Sequence, residues 1–177
     1  KSVFDFDMNE VSRIEVLRGP QGTLYGRNTM GGIINVYTKN PLDYNGFNYR
    51  QTVGNYGQTD FSGAYYGKLS EQVGYSLSSA YRHSDGFFTN VYTGKTADRS
   101  NHIATRGKLL WKAKSGLEGL LAINYEYTDQ GGYPYGLYHT DTGVTDSVDY
   151  NDKSSYRQGV LTAGLTLNYV CSGIVFK

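Results

Sequence analysis

SRIEVLRGPQGTLYGRNTMGGIINVYTKNP, residues 12–41, decides the fold. Two strand-like runs, Arg13–Leu17 and Ile33–Thr38, flank a stretch holding Gly19, Pro20, Gly22, Gly26, Gly31 and Gly32. Glycine adopts backbone angles that other residues avoid and lets chains approach closely. Proline fixes its own backbone angle, so Pro20 sets a turn directly after a strand. So many special positions in so short a segment predict a tightly folded unit rather than a linker. Gly19-Pro20-Gln21-Gly22 has no lysine-serine pair after it, so it is not a phosphate loop.

The surrounding composition points to β-structure. The chain has 177 residues, enough for one ordinary domain. It uses 18 tyrosines and 23 glycines but only 3 prolines. Disordered chains are poor in aromatics, and glycine and aromatics are weak helix formers. The mixture suits a sheet with tight turns. Formal net charge is +1, so no global field favours nucleic acid. Cys171 is the single cysteine, which excludes an intrachain disulfide framework and a thiolate metal cluster. Mean hydropathy is −0.51, and no apolar run reaches the roughly 18 residues of a spanning helix. A membrane barrel escapes that test because its lipid-facing and lumen-facing residues alternate. KSVFDFDMNEV, at the start, has no signal-peptide pattern.

After Pro41 the sequence alternates. Strands are predicted at about 46–54, 59–69, 73–84, 101–112, 117–128 and 157–170. Phe61, Tyr65 and Leu69 share a face, as do Leu77 and Tyr81, Ile103 and Trp111, Leu121 and Ile123, and Leu161 and Leu165. Arg50, Lys68, Arg82, Arg106, Lys108, Lys112, Glu118 and Glu126 fall on the opposite faces. Side chains alternate across a strand, so each sheet face has its own character. A soluble sandwich shares this period. Three further features favour a membrane barrel. The runs are long, as the roughly 9–11 residues of a tilted spanning strand require. Short links near 70–72 and 113–116 alternate with long ones at 85–100 and 129–156, although the link near 55–58 is short on the long-loop side. Tyrosines and Trp111 gather towards strand ends, like an aromatic girdle.

The segment 12–41 resembles the closing part of the plug domain of TonB-dependent outer-membrane receptors. That part ends with this kind of strand, Arg-Gly-Pro turn, Leu-Tyr-Gly segment (Tyr25 and Gly26 here) and Gly-Gly strand, then runs into a barrel. The resemblance implies residues 1–41 as the end of a plug domain and 42–177 as the first strands of a transmembrane antiparallel β-barrel. About six strands of about 22 are present, so the chain looks like an internal fragment. The implied activity is active uptake of a scarce ligand, most often a ferric siderophore, across the bacterial outer membrane. Cobalamin, haem and glycans are alternative cargoes. The implied partners are outer-membrane lipid and a TonB-type energy-transducing complex, reached through an N-terminal part not in this sequence. No cofactor is implied.

Individual residues divide into a latch and a rim. Arg13, Glu15 and Arg18 alternate on the first strand, so their face is expected to pair with charges on an inner barrel wall, because buried charges need partners. Arg27 and Asn28 precede Gly31-Gly32 and can reach ligand or wall. Tyr133, Tyr135, Tyr138 and Tyr150 in the second long loop are the ligand candidates, since tyrosine offers area and a hydrogen bond at little entropic cost. His83, His102 and His139 stand at no metal-ligand spacing on one element. Asp141, Asp146, Asp149 and Asp152 fit no calcium loop, so no metal site is expected. There is no Ser/His/Asp grouping and no carboxylate pair on one element, so the reading is a receptor and not an enzyme. The rivals are a soluble or surface β-sandwich for adhesion, a plugless porin, and a catalytic barrel.

Overall fold

The structure is a computed structural model that describes residues 10–20, 22–25, 31–171 and 174–176. Gly26, Arg27 and Asn28 lie outside the described residues. Strands β1 (Val11–Arg18) and β2 (Gly32–Thr38) pair antiparallel, with Arg18 opposite Gly32. Between them stand the turn at Gly19-Pro20 and one short helical turn, α1 (Gly22–Tyr25). Two glycines earn their place here. Gly19 has φ +89°, in the left-handed region. A Cβ on Gly32 would lie 2.5 Å from the Leu17 carbonyl oxygen.

The remainder forms one antiparallel sheet with two small hairpins in its loops. The long strands are β3 (Gly46–Val53), β4 (Thr59–Ser70), β5 (Val73–Ser84), β8 (Ser100–Lys112), β9 (Leu117–Gly131) and β12 (Ser155–Cys171). A short β13 (Ile174–Phe176) follows, and the spatial order is β13-β12-β9-β8-β5-β4-β3. The hairpins are β6 (Thr89–Asn90) with β7 (Lys95–Thr96), and β10 (Tyr138–His139) with β11 (Val144–Thr145). Every long strand falls on a predicted one. The main differences are at the outer ends of β9 and β12, where Ser155 pairs with Gly131, beyond the alternating pattern. Asp129 holds them there, within 3.5 Å of Arg99 and 3.3 Å of Arg157. The backbone ladder outlasts the hydrophobic signal because polar side chains sustain it.

Register sorts the faces as alternation predicts. One row runs Phe47, Tyr65, Leu77, Gly107, Ile123, Ala163, and the next row on the other face runs Asn48, Ala64, Ser78, Arg106, Asn124, Thr162. The apolar face is bare: Leu77 is 56% exposed and Leu165 60%. Protein covers the other face instead. Ala64, Tyr66, Ser76, Ser78, Ala80 and Leu110 are buried there. A sandwich would seal the apolar face inside. An apolar face of this extent belongs against lipid or a partner. Polar atoms on it satisfy each other, as Ser79 and Thr105 hydroxyls do at 3.2 Å. Towards the short-turn end, Trp111 lies across Gly119 on the neighbouring strand, filling the space a side chain would take.

Candidate functional site

The segment from Thr38 to Tyr44 crosses the polar face of the sheet, and Glu10 joins it there. The Glu10 carbonyl accepts the Lys39 N–H at 2.8 Å, which ties the start of β1 to the end of β2. Arg106 Nη1 donates to the Glu10 carboxylate at 2.8 Å. The Glu10 side chain is 2% exposed and that of Arg106 27%. Arg106 Nε also donates to Asn124 Oδ1, its register partner on β9. Lys108, two residues further along the same face of β8, donates to Thr38 Oγ1 at 2.6 Å. A carboxylate this buried needs its cation, because an unpaired charge in a low-dielectric site is costly.

Packing reinforces these bonds. The Lys39 ammonium stands 4.7 Å from the Tyr44 ring centre and 5.9 Å from that of Tyr66. The two rings meet edge to face at 5.0 Å, and the Tyr44 hydroxyl donates to Asn48 at 2.9 Å. Pro41 and Leu42 are buried against β5. A Cβ on Gly74 would lie 2.8 Å from the Pro41 carbonyl carbon and oxygen. Backbone cannot yield as a flexible side chain does. Gly74→Ala is therefore expected to cost about 1–3 kcal/mol of local stability, the range for overpacking. Limited proteolysis of the full-length protein should show faster cleavage around residues 39–45. Unchanged cleavage would mean that this segment does not press on the wall.

The predicted latch residues occupy a different position. Arg13 Nε bonds Glu15 at 2.8 Å, and the guanidinium stacks 3.9 Å from the Tyr37 ring centre. Tyr37 first, then Glu15, push the Arg13 pKa above its ordinary value. Arg18 closes β1 opposite Gly32 and is exposed. The ion pair that joins the β1–β2 piece to the described wall is made by Glu10. Tyr25 is exposed, with its hydroxyl 3.4 Å from Asn35 Nδ2.

The far end of the sheet carries the two long loops, which are tied together. Val91 N–H donates to the Val148 carbonyl, and Asn90 Nδ2 to the Tyr150 carbonyl, each at 2.8 Å. The Asp98 carboxylate accepts the Phe87 and Phe88 amides at 3.0 and 2.9 Å. Between the loops lies a cavity of about 560 Å³, lined by Lys95, Arg99, Tyr150, Asp152, Lys153 and Arg157 among others. That is within the ~300–1,000 Å³ of ligand clefts. Tyr133 and Tyr135 have ring centres 6.1 Å apart and are exposed, as is Tyr138. None of these three lines the cavity, whereas Tyr150, the fourth candidate, does. His139 pairs with Asp146 at 3.0 Å, and His83 lies between Asn101 and Asp85 at 2.8 and 3.1 Å. Among the described residues no group of three or more metal-ligating side chains gathers.

Comparisons with known proteins agree with this geometry. The family profile described as TonB-dependent Receptor Plug Domain matches residues 1–33. The ferrioxamine receptor of Yersinia enterocolitica is 27% identical over 132 residues, covering 75% of this chain and 18% of the receptor. The ferric enterobactin receptor PirA of Pseudomonas aeruginosa is 30% identical over 105 residues, covering 55% of this chain and 14% of PirA. The crystal structure of the ferric yersiniabactin uptake receptor FyuA from Yersinia pestis superposes with a TM-score of 0.74 at 23% identity. That superposition covers 92% of this chain and 26% of FyuA, and at this identity the likeness concerns the fold. The chain thus spans less than a fifth of the ferrioxamine receptor and about a quarter of FyuA. A plug-type segment pinned to the polar face of a wall with a bare apolar outside is the arrangement these comparisons share: the chain is similar to TonB-dependent receptors, and its fold is that of part of a plugged transmembrane antiparallel β-barrel.

Proposed function

We propose that this chain is part of an outer-membrane receptor for the active uptake of a ferric siderophore. In this reading residues 1–41 close the plug and 42–177 begin the barrel. The carrying observation is the covered polar face. A wide barrel is an open channel unless something fills it, and Glu10, Thr38 and the Pro41–Leu42 segment bind the wall where a filling must sit. Arg13 and Glu15, on one face of β1, then face wall strands that belong to the rest of the barrel, and Arg18 lies on the opposite face. Tight cargo binding opposes release, so an energy-transducing complex must act on the plug from the periplasm. The names of the ferrioxamine, ferric enterobactin and ferric yersiniabactin receptors support iron-chelate cargo.

The test uses the host bacterium and the full-length gene. Under iron limitation, deletion is expected to abolish uptake of radiolabelled iron from at least one ferric siderophore of a panel, and complementation to restore it. The protein should require detergent for extraction. Normal uptake from every chelate by the deletion strain, with the protein recovered in plain buffer, would overturn the reading.

A further inference from the structure

We propose that the basic cavity between the two long loops docks the phosphate-bearing headgroup of a lipid in the outer leaflet. This rests on the outer-membrane reading above. Register supplies the placement. At mid-strand the bare face runs Tyr65, Leu77, Gly107, Ile123 and Ala163. Nearer the long loops it runs Phe61, Tyr81, Ile103, Tyr127 and Gly159. The next row on that face is Thr59, His83, Asn101, Asp129 and Arg157. Apolar character therefore gives way to charge from one row to the next. From Trp111 to Ile103 this face spans roughly 20 Å across the bilayer, for a strand tilted by about 40°. The apolar band of an outer-membrane barrel is ~25 Å tall. The charged row thus stands at the height of lipid headgroups.

The cations gather on that outward face. Arg99 continues it one row beyond Asn101, its carbonyl accepting the Gly131 N–H at 2.7 Å. Asp129 sits between the two arginines, 3.5 Å from Arg99 Nη2 and 3.3 Å from Arg157 Nε. Its carboxylate is 20% exposed, whereas Arg99 is 44% and Arg157 65% exposed. It orients both guanidiniums while leaving most of their five N–H donors open. Lys95 from the β6–β7 hairpin and Lys153 from the second loop join them in the lining, where Asp152 is the carboxylate. Asp129 and Asp152 do not balance these four cations, although the whole chain carries a formal net charge of only +1. Guanidinium forks and lysine ammonium groups are the usual donors to phosphate oxygens. Basic pockets beside membrane-facing surfaces bind lipid headgroups by this chemistry. The apolar rows beneath decide the source of the phosphate. A lipid can lay its chains along Tyr127, Tyr125 and Leu161 while its phosphate reaches the arginines, whereas a free anion gains nothing from those rows. The loops are cross-tied through Val91–Val148 and Asn90–Tyr150, so Lys95 and Lys153 are held around the space.

The experiment titrates the full-length receptor, purified in non-ionic detergent, with lipid A, a glucosamine lipid carrying two phosphates. Native mass spectrometry counts the bound lipid. Lipid A should bind at least roughly tenfold more tightly than its dephosphorylated form. The double variant R99Q/R157Q should lose roughly tenfold in affinity for lipid A and little for the dephosphorylated lipid. Asp152→Asn should tighten lipid A, a gain that misfolding cannot produce. Inorganic phosphate in large excess should not displace it. Equal binding of the two lipids, or no response to either variant, would overturn the assignment. Displacement by inorganic phosphate would overturn it too, giving the cavity to a free anion. Each of these results would leave ferric-siderophore uptake by the same receptor intact. Recovery of the receptor in plain buffer would instead overturn the outer-membrane reading on which the proposal stands.

Discussion

Arg106→Ala is expected to free the plug piece from the wall by about 3 kcal/mol, the lower end of the penalty for stranding one member of a buried ion pair. The lower end applies because Arg106 retains some solvent contact, at 27% exposure, while Glu10 has almost none. Most of that penalty is the charge left behind. Glu10 would keep a carboxylate at 2% exposure with its cation gone, and Asn124 would lose its bond from Arg106 Nε. The double variant E10Q/R106A removes the stranded charge and should recover a good part of the loss. A simple sum of two contact energies would instead make the double variant worse than either single one. Hydrogen exchange of the full-length receptor reads this directly. Amides of Val11–Arg18 and Gly32–Thr38 should exchange on the order of a hundredfold faster in Arg106→Ala, by local opening rather than global unfolding. Exchange at the parental rate would mean that Glu10 and Arg106 do not hold this piece in place.

The sheet was legible in the sequence because its period is two. One residue of slip would carry Leu77 or Leu121 to the wrong face, so alternation fixed the faces, and the strands fell where alternation put them. Charges marked the inner face for the same reason. The latch was not legible in the same way. Glu10 precedes the first strand-like run in a stretch without pattern, and its partner lies 96 residues away. The alternating charges of Arg13, Glu15 and Arg18 drew attention instead, and in the structure Arg13 and Glu15 pair with each other. One signal did exist. Ala64, Gly74, Ser76, Ser78, Ala80 and Ala104 put small residues on the polar face of three adjacent strands. Small side chains in a row mark a place where another backbone comes close, and Pro41 presses there on Gly74. The loop cavity was hidden for another reason. Its cations come from a hairpin, two strand ends and a separate loop, which only the folded register brings together.

The bare apolar face carries the second large prediction, and depth is its signature. Leu77 stands in mid-strand on β5, between Tyr65 and Gly107 in register. Leu69 stands near the short-turn end of β4 on the same face and is more exposed, at 70% against 56%. If water bathed this face, arginine would be harmless at both positions. If lipid does, Leu77→Arg should cost about 2–4 kcal/mol, the penalty for a cation at the bilayer midplane, and Leu69→Arg only about 0–1 kcal/mol near the interface. Thr166→Arg, on the polar face of β12 opposite Leu120, serves as the lumenal control and should be near neutral. Urea titration of the full-length receptor folded into vesicles, read by heat-modifiable gel mobility, gives all three values. Equal, small effects at Leu77 and Leu69 would remove the lipid contact. The barrel assignment would lose its physical basis with it, because an apolar stripe indifferent to a buried cation is not facing hydrocarbon.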